Sequence, residues 1–267
     1  MSEVFDCTTP EGLAAGLEAA AQAVRAGRVV VLPTDTVYGI GADAFNADAV
    51  TALLAAKGRG RDMPPPVLVP NLRTVDGLAR EVPDYVRSLI GAFWPGPLTL
   101  VVKSQPSLSW DLGETNGTVA LRMPDNEIAL SLLGDVGPMA VTSANYTGSP
   151  AARTVAEAQG QLGAAVAVYL DAGPATGNAA STMLDCTTPV AVTLREGALA
   201  RSDIDVALVA AAEAARTARL AEEKRAAAEG RAPRGPRGVR KPGPRPAPNA
   251  PARRGGRVAG QRRRPQP

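Results

Sequence analysis

The sequence predicts an α/β domain built on a mixed β-sheet with flanking helices, and three observations carry that expectation. Short β-branched runs recur across residues 29–196, as in VVVL at 29–32 and PLTLVVK at 97–103. Helical patterns fall between several of these runs, the alternation that layers helices on a buried sheet. Near the end of this region strands follow one another directly, which argues an antiparallel portion and so a mixed sheet. With 45% apolar residues in a chain of 267, there is enough apolar material for a proper core.

The first element is helical. In TTPEGLAAGLEAAAQAVRAG (8–27), Thr9 can cap, Pro10 suits the first turn and Gly27 follows the end. The strand 29–32 then runs into Pro33, a Thr34-Asp35-Thr36 cluster and the Gly-x-Gly at 39–41. Such a strand end is either an ordinary corner or a sheet edge presenting hydroxyls and backbone to a ligand. Asn46 can open a second helix that Gly58 terminates. Further strands are read at 66–70, 97–103, 118–124, 138–145, 164–170, 181–186 and 190–196, with helices at 83–93 and 154–163. From about residue 203 an Ala-rich helical pattern runs to Glu229. Residues 230–267 then hold 12 Lys/Arg, 9 Pro and no acid, a composition read as disordered. The expected division is a globular domain over 1–212 and a basic tail over 213–267, helical at its start.

Composition excludes whole classes of chemistry. There is no histidine, which removes Ser-His-Asp and Cys-His nucleophile systems, imidazole bases and His-ligated metals. Cys7 and Cys186, each inside a DCTTP string, are the two cysteines and suit a reduced compartment better than a disulfide framework. No run approaches the ~20 apolar residues of a membrane span, and no secretory signal is visible at the N-terminus. A cytoplasmic protein without membrane contact is expected. The net charge of +3 hides a division: residues 1–212 carry 13 basic and 22 acidic groups, residues 213–267 carry 16 basic and 4 acidic.

Cations on so acidic a body draw attention. KGRGRD (57–62) places Lys57, Arg59 and Arg61 around two glycines just after a helix. That suits either a helix C-cap, where cations favour the dipole, or a polyphosphate. No Walker A spacing occurs anywhere in the chain. TVALRMP (118–124) puts Thr118, Ala120 and Arg122 on one face of a strand, and PMAVTSAN (138–145) ends in Thr142, Ser143 and Asn145. Ser181 opens STMLDC, and Arg195 precedes a glycine. Ligands of α/β sheets bind at strand ends, so this set suits a small polar substrate beside phosphates.

PTDTVYGIGADAF, AKGRGRD, FWPGPLTLVV, TVALRMP, MAVTSAN and the STMLD segment together resemble the YrdC-type threonylcarbamoyl-AMP synthase family, in the family's order across about residues 5–205. The family's K-x-R…S-x-N signature reads here as Lys57, Arg59, Ser143 and Asn145. The match is closest to the short single-domain form. The resemblance implies a twisted mixed-sheet fold with a large concave cavity. It implies a nucleotidyltransferase making L-threonylcarbamoyladenylate from L-threonine, bicarbonate and ATP with pyrophosphate release. The product would serve N6-threonylcarbamoyladenosine formation beside the anticodon of tRNA, handed to downstream threonylcarbamoyl-transfer proteins. By the same resemblance Thr34 would bond the threonine, with Thr36 and Tyr38 nearby, and Arg122 would take its carboxylate. Lys57, Arg59 and Arg61 would grip ATP phosphates, and Thr118 and Arg195 would contact the nucleotide. Thr142, Ser143 and Asn145 would line the pocket for both substrates, and Ser181 would touch threonine. Mg2+ is expected with ATP and no tightly bound organic cofactor; no carboxylate pair nominates itself as metal ligand, and Asp35 is a guess. The segment RDMPPPVLVP departs from the family, with Met63, Pro65 and Leu68 where many members have Asn, Leu and His.

Two other readings compete. The basic tail and a concave face could bind RNA without catalysis, but the acidic body would repel a polyanion and 3% aromatics is few for base stacking. The tail can still bring an enzyme near tRNA. Carbamoyl-adenylate chemistry of the hydrogenase-maturation kind would need added zinc-finger and transferase regions, for which this chain leaves little room.

Overall fold

The computed structural model describes residues 2–228. Of these, the residues up to Ala218 form one compact unit. The stretch 230–267, read above as disordered, lies outside the described residues.

Among the described residues, ten strands form one mixed sheet. In chain order they are β1 (Glu3–Asp6), β2 (Val30–Leu32), β3 (Gly39–Asp43), β4 (Val67–Leu68), β5 (Leu98–Lys103), β6 (Thr118–Arg122), β7 (Met139–Ser143), β8 (Val168–Asp171), β9 (Thr182–Asp185) and β10 (Val192–Arg195). The helices are α1 (Pro10–Arg25), α2 (Ala47–Ala56), α3 (Leu72–Leu78), α4 (Asp84–Phe93), α5 (Glu127–Val136), α6 (Val155–Leu162) and α7 (Arg201–Ala228). The sheet order is β1-β8-β2-β3-β7-β4-β6-β5-β9-β10. β8 runs parallel to β1 and β2, β4 to β6, and β5 to β9, while β3, β7 and β10 pair antiparallel.

Most helices begin where local chemistry places them. The Thr9 hydroxyl accepts from Gly12 N, Asn46 from Ala49 N and Thr154 from Glu157 N, each satisfying an orphan donor of the first turn. The expected strand over 164–170 is shorter: Gly163, at φ +49°, opens a 3-10 turn to Ala165 and pairing begins at Val168. β1, β3, α3 and α5 were not read from the sequence. The expected boundary at 212/213 falls inside α7.

Alternation along each strand divides the core into two apolar layers. Val31, Ile40, Leu100, Leu121 and Leu184 pack on one side with Leu53 of α2, Leu89 of α4 and Val155 of α6. Val30, Leu32, Val141 and Leu170 pack on the other with Ala20 and Val24 of α1 and Leu132 of α5. The second layer contains no residue of β5, β6, β9 or β10. There the same sheet face carries Thr99, Arg122, Met183 and Arg195, and these side chains floor a cavity.

Candidate functional site

The cavity measures about 190 Å3 and is bounded by the β2–β3 connection, the segment after α2, and the ends of β7, β9 and β10. Of the residues nominated from the sequence, Thr34, Thr36, Tyr38, Arg59, Arg122, Thr142, Ser143, Ser181 and Arg195 line it. Lys57, Arg61, Thr118 and Asn145 do not. The chain turns at Thr34–Tyr38 and returns as β3, antiparallel to β2, so the hydroxyls sit on a tight reversal at the cavity wall.

Three guanidinium groups converge here. Arg122 is buried at the end of β6: its Nε donates to Gly96 O (3.0 Å), one terminal nitrogen to Thr36 Oγ1 (3.1 Å) and the other to Asp35 Oδ1. Burial and the nearby Arg195 lower its pKa, and Asp35 opposes them. Arg59 donates to Thr142 Oγ1 (3.1 Å), while its Nε is buried without a partner. Arg195 donates from Nε and a terminal nitrogen to Ser181 O (3.1 and 2.8 Å) and also to Ser181 Oγ (3.0 Å). Neither Arg59 nor Arg195 forms an ion pair among the described residues, and burial lowers both their pKa values; at Arg59 the nearby Arg195 adds to the effect and Asp62 opposes it. The cavity therefore holds more positive charge than its single ion pair, Asp35–Arg122, neutralises.

Arg195 reaches this face because of a β-bulge. Thr193 pairs with Leu184 of the helix-covered layer, but the register shifts and Arg195 pairs with Met183, which lines the cavity. Bulges re-aim side chains in this way. Strict alternation would have sent Arg195 to the opposite face.

The hydroxyl groups are ordered by one another. Thr34 Oγ1 donates to Val37 O (2.6 Å) and lies 3.0 Å from Thr36 Oγ1. Ser181 Oγ lies 2.8 Å from Thr99 Oγ1. Thr99 went unnominated, although it is the one hydroxyl within the apolar run LTLVV. Tyr38 lines the cavity with its body, while its hydroxyl donates to Gly173 O and accepts from Ala172 N (3.0 Å).

Lys57 is 2% exposed and sits behind the cavity wall. Its ammonium donates to Ser143 O, to Asn145 O (2.6 Å) and at 3.4 Å to Asn145 Oδ1. Burial, reinforced by Arg59, pulls its pKa down to about 8. Arg61 points elsewhere and pairs with the exposed Asp111. Thr118 shares the Arg122 face but stands four residues back along β6, roughly 13 Å at strand rise, and its hydroxyl donates to Thr115 O. Leu68, at the position where the family often has His, is an apolar part of the lining.

No cluster of three Asp, Glu, Cys or His groups suited to a metal ion occurs among the described residues. Asp35 presents Oδ1 to Arg122 and to Asp125 N (3.1 Å), while its Oδ2 is buried without a hydrogen-bond partner.

The chain is similar to proteins of known family and structure. The Sua5/YciO/YrdC family model, described as telomere recombination, matches residues 22–197. A protein from Mycobacterium leprae is 58% identical over 197 residues, covering 74% of this chain and 90% of the relative. The threonylcarbamoyl-AMP synthase of Bacillus subtilis is 37% identical over 191 residues, covering 71% of this chain and 55% of the relative, so the chain spans about half of that protein. Among solved structures, a double variant of Pyrococcus abyssi Sua5 aligns with a TM-score of 0.73 at 32% identity, covering 77% of this chain and 60% of that one. P. abyssi Sua5 complexed with L-threonine aligns with a TM-score of 0.69 at 34% identity, covering 72% and 56%.

Proposed function

The chain belongs to the Sua5/YciO/YrdC family, and on that premise we propose that it is a threonylcarbamoyl-AMP synthase. The observation that carries this reading is the excess of guanidinium charge in the cavity. Arg59 and Arg195 lack carboxylate partners among the described residues, and the Arg59 Nε is buried and unbonded. A buried donor left unpaired is costly, and a phosphate oxygen would satisfy it.

In the proposed reaction the amine of L-threonine attacks the carbon of CO2 or bicarbonate. With CO2 a C–N bond forms and a proton is lost to solvent; with bicarbonate the C–N bond forms as a C–O bond breaks and water leaves; a carbamate results in either case. A carbamate oxygen then attacks the α-phosphorus of ATP; the new P–O bond forms as the α–β phosphoanhydride breaks and pyrophosphate leaves. Both steps need alignment and charge neutralisation rather than a strong base, which suits a chain without histidine. Arg59 and Arg195 take phosphate oxygens. Arg122, held from behind by Asp35 and Thr36, takes the threonine carboxylate, and the hydroxyls of Thr34, Thr36, Thr142 and Ser181 bond threonine. Mg2+ arrives with ATP as part of the substrate. The adenylate goes on to tRNA modification through transfer proteins, in the cytoplasm, and the basic tail supplies a further contact to tRNA.

The test is pyrophosphate release by purified protein with MgATP, adding L-threonine and bicarbonate separately and together. Release that requires both supports the synthase. No release in any combination, with salt-sensitive tRNA binding, would favour the non-catalytic RNA-binding reading.

A further inference from the structure

We propose that Lys57 is a positioning residue, a buried clasp that holds the turn after β7 so that Ser143 and Arg59 face the cavity, rather than a group that touches the phosphates of ATP. The proposal rests on the synthase reading for its kinetic arm.

Lys57 grips the turn from two directions. Its ammonium donates to Ser143 O and Asn145 O, and its own carbonyl accepts from Thr147 N (2.9 Å). An ammonium has three donors, and the three acceptors around Nζ all belong to Ser143 and Asn145. The Asn145 amide nitrogen donates onward to Tyr146 O (2.9 Å) and Ser149 O (2.8 Å), which closes the turn on itself. Lys57 is 2% exposed and absent from the lining, whereas Ser143 and Arg59 both line the cavity.

Gly58 makes the division of labour between Lys57 and Arg59 feasible. It adopts φ +59°, and a Cβ there would stand 2.3 Å from Tyr146 Oη. The left-handed residue reverses the chain between the two cations. Lys57 goes behind the wall to the main chain of β7, and Arg59 goes in front to Thr142 Oγ1.

Two measurements on the full chain decide it. The sequence has four lysines, so reductive methylation followed by peptide mass spectrometry reads each one. Lys57 should resist modification equally with and without MgATP. Lys57 that is modified in the ligand-free protein and protected by MgATP would overturn the clasp. The second measurement is Lys57→Met, assayed where it unfolds cooperatively. Its kcat should fall about 10- to 100-fold from misplaced groups, with the Kd for MgATP within about 3-fold of wild type. A loss of about 10- to 100-fold in MgATP affinity at unchanged kcat would overturn the proposal in favour of phosphate contact. A lowered melting temperature with unchanged kcat and KM per folded molecule would overturn it in favour of a merely structural role. Should Lys57→Met not fold, the methylation pattern decides. Absence of pyrophosphate release by the wild type would instead count against the synthase reading, with the methylation pattern still judging the clasp.

Discussion

Arg59 is the residue at which the proposed ATP contact can be tested most directly. Its Nε is buried with no partner, its other contact is the Thr142 hydroxyl, and no carboxylate pairs with it among the described residues. Replacing it with Ala should raise KM for ATP by about 10- to 100-fold, the value of a charge-assisted hydrogen bond to phosphate, with KM for L-threonine changed far less. An unchanged KM for ATP in steady-state pyrophosphate assays would place the nucleotide elsewhere. Lys57 gives a second prediction, on stability. Its pKa falls from 10.5 to about 8 in the folded protein. Between those values the unfolded chain binds more protons there, so stability at this position rises with pH. Cys7 and Cys186 act oppositely as pH approaches and passes 9, because burial raises their thiols to about 11 and about 12. The urea midpoint of wild type relative to Lys57→Met should therefore rise from about pH 8 to 9; parallel curves would contradict the assignment. The sequence made Arg59 and Arg122 legible as cations on an acidic chain. It could not show that Lys57 lies behind the wall, since that depends on the left-handed Gly58, nor that Asp35 serves Arg122, since the two are brought together only by the sheet.

Secondary structure was legible wherever a local chemical signal existed. Thr9, Asn46 and Thr154 cap the helices they were expected to open or flank, and the β-branched runs became β2, β5 and β6. β3 was hidden because Gly39-Ile40-Gly41 reads as a loop. Its glycines answer a packing need across the sheet: a Cβ at Gly39 would stand 2.7 Å from Val141 Cγ1 and one at Gly41 2.9 Å from Val141 Cγ2. Gly39→Ala should cost about 1–3 kcal/mol by overpacking, and the pair Gly39→Ala/Val141→Ala should recover part of it in urea unfolding. A neutral Gly39→Ala would show that β3 and β7 are less closely apposed than described. The bulge in β10 was illegible for a related reason: alternation along a strand assumes continuous register, and Arg195 lies just beyond the shift.

At the scale of the molecule, the division of charge organises the proposed function. The body carries more acids than bases, and the region after residue 212 reverses the balance. Within the body, positive charge gathers where Arg59, Arg122 and Arg195 meet. The acidic exterior disfavours RNA in the cavity, while the 12 cations of residues 230–267 suit sequence-independent phosphate contact. A chain ending at residue 228 should therefore keep its pyrophosphate release with small substrates, while its tRNA affinity falls and loses salt dependence. Loss of release on truncation would show that the tail takes part in the reaction with small substrates. Residue types and order disclosed the fold class and the chemical character of the site, whereas placement behind or within the cavity wall required the register of the sheet. The most direct test of the synthase is the mass of its nucleotide product after turnover with 13C-bicarbonate, L-threonine and MgATP. An adenylate carrying both threonine and the labelled carbon is the expected result. An unlabelled threonyl adenylate, or no adenylate at all, would contradict it.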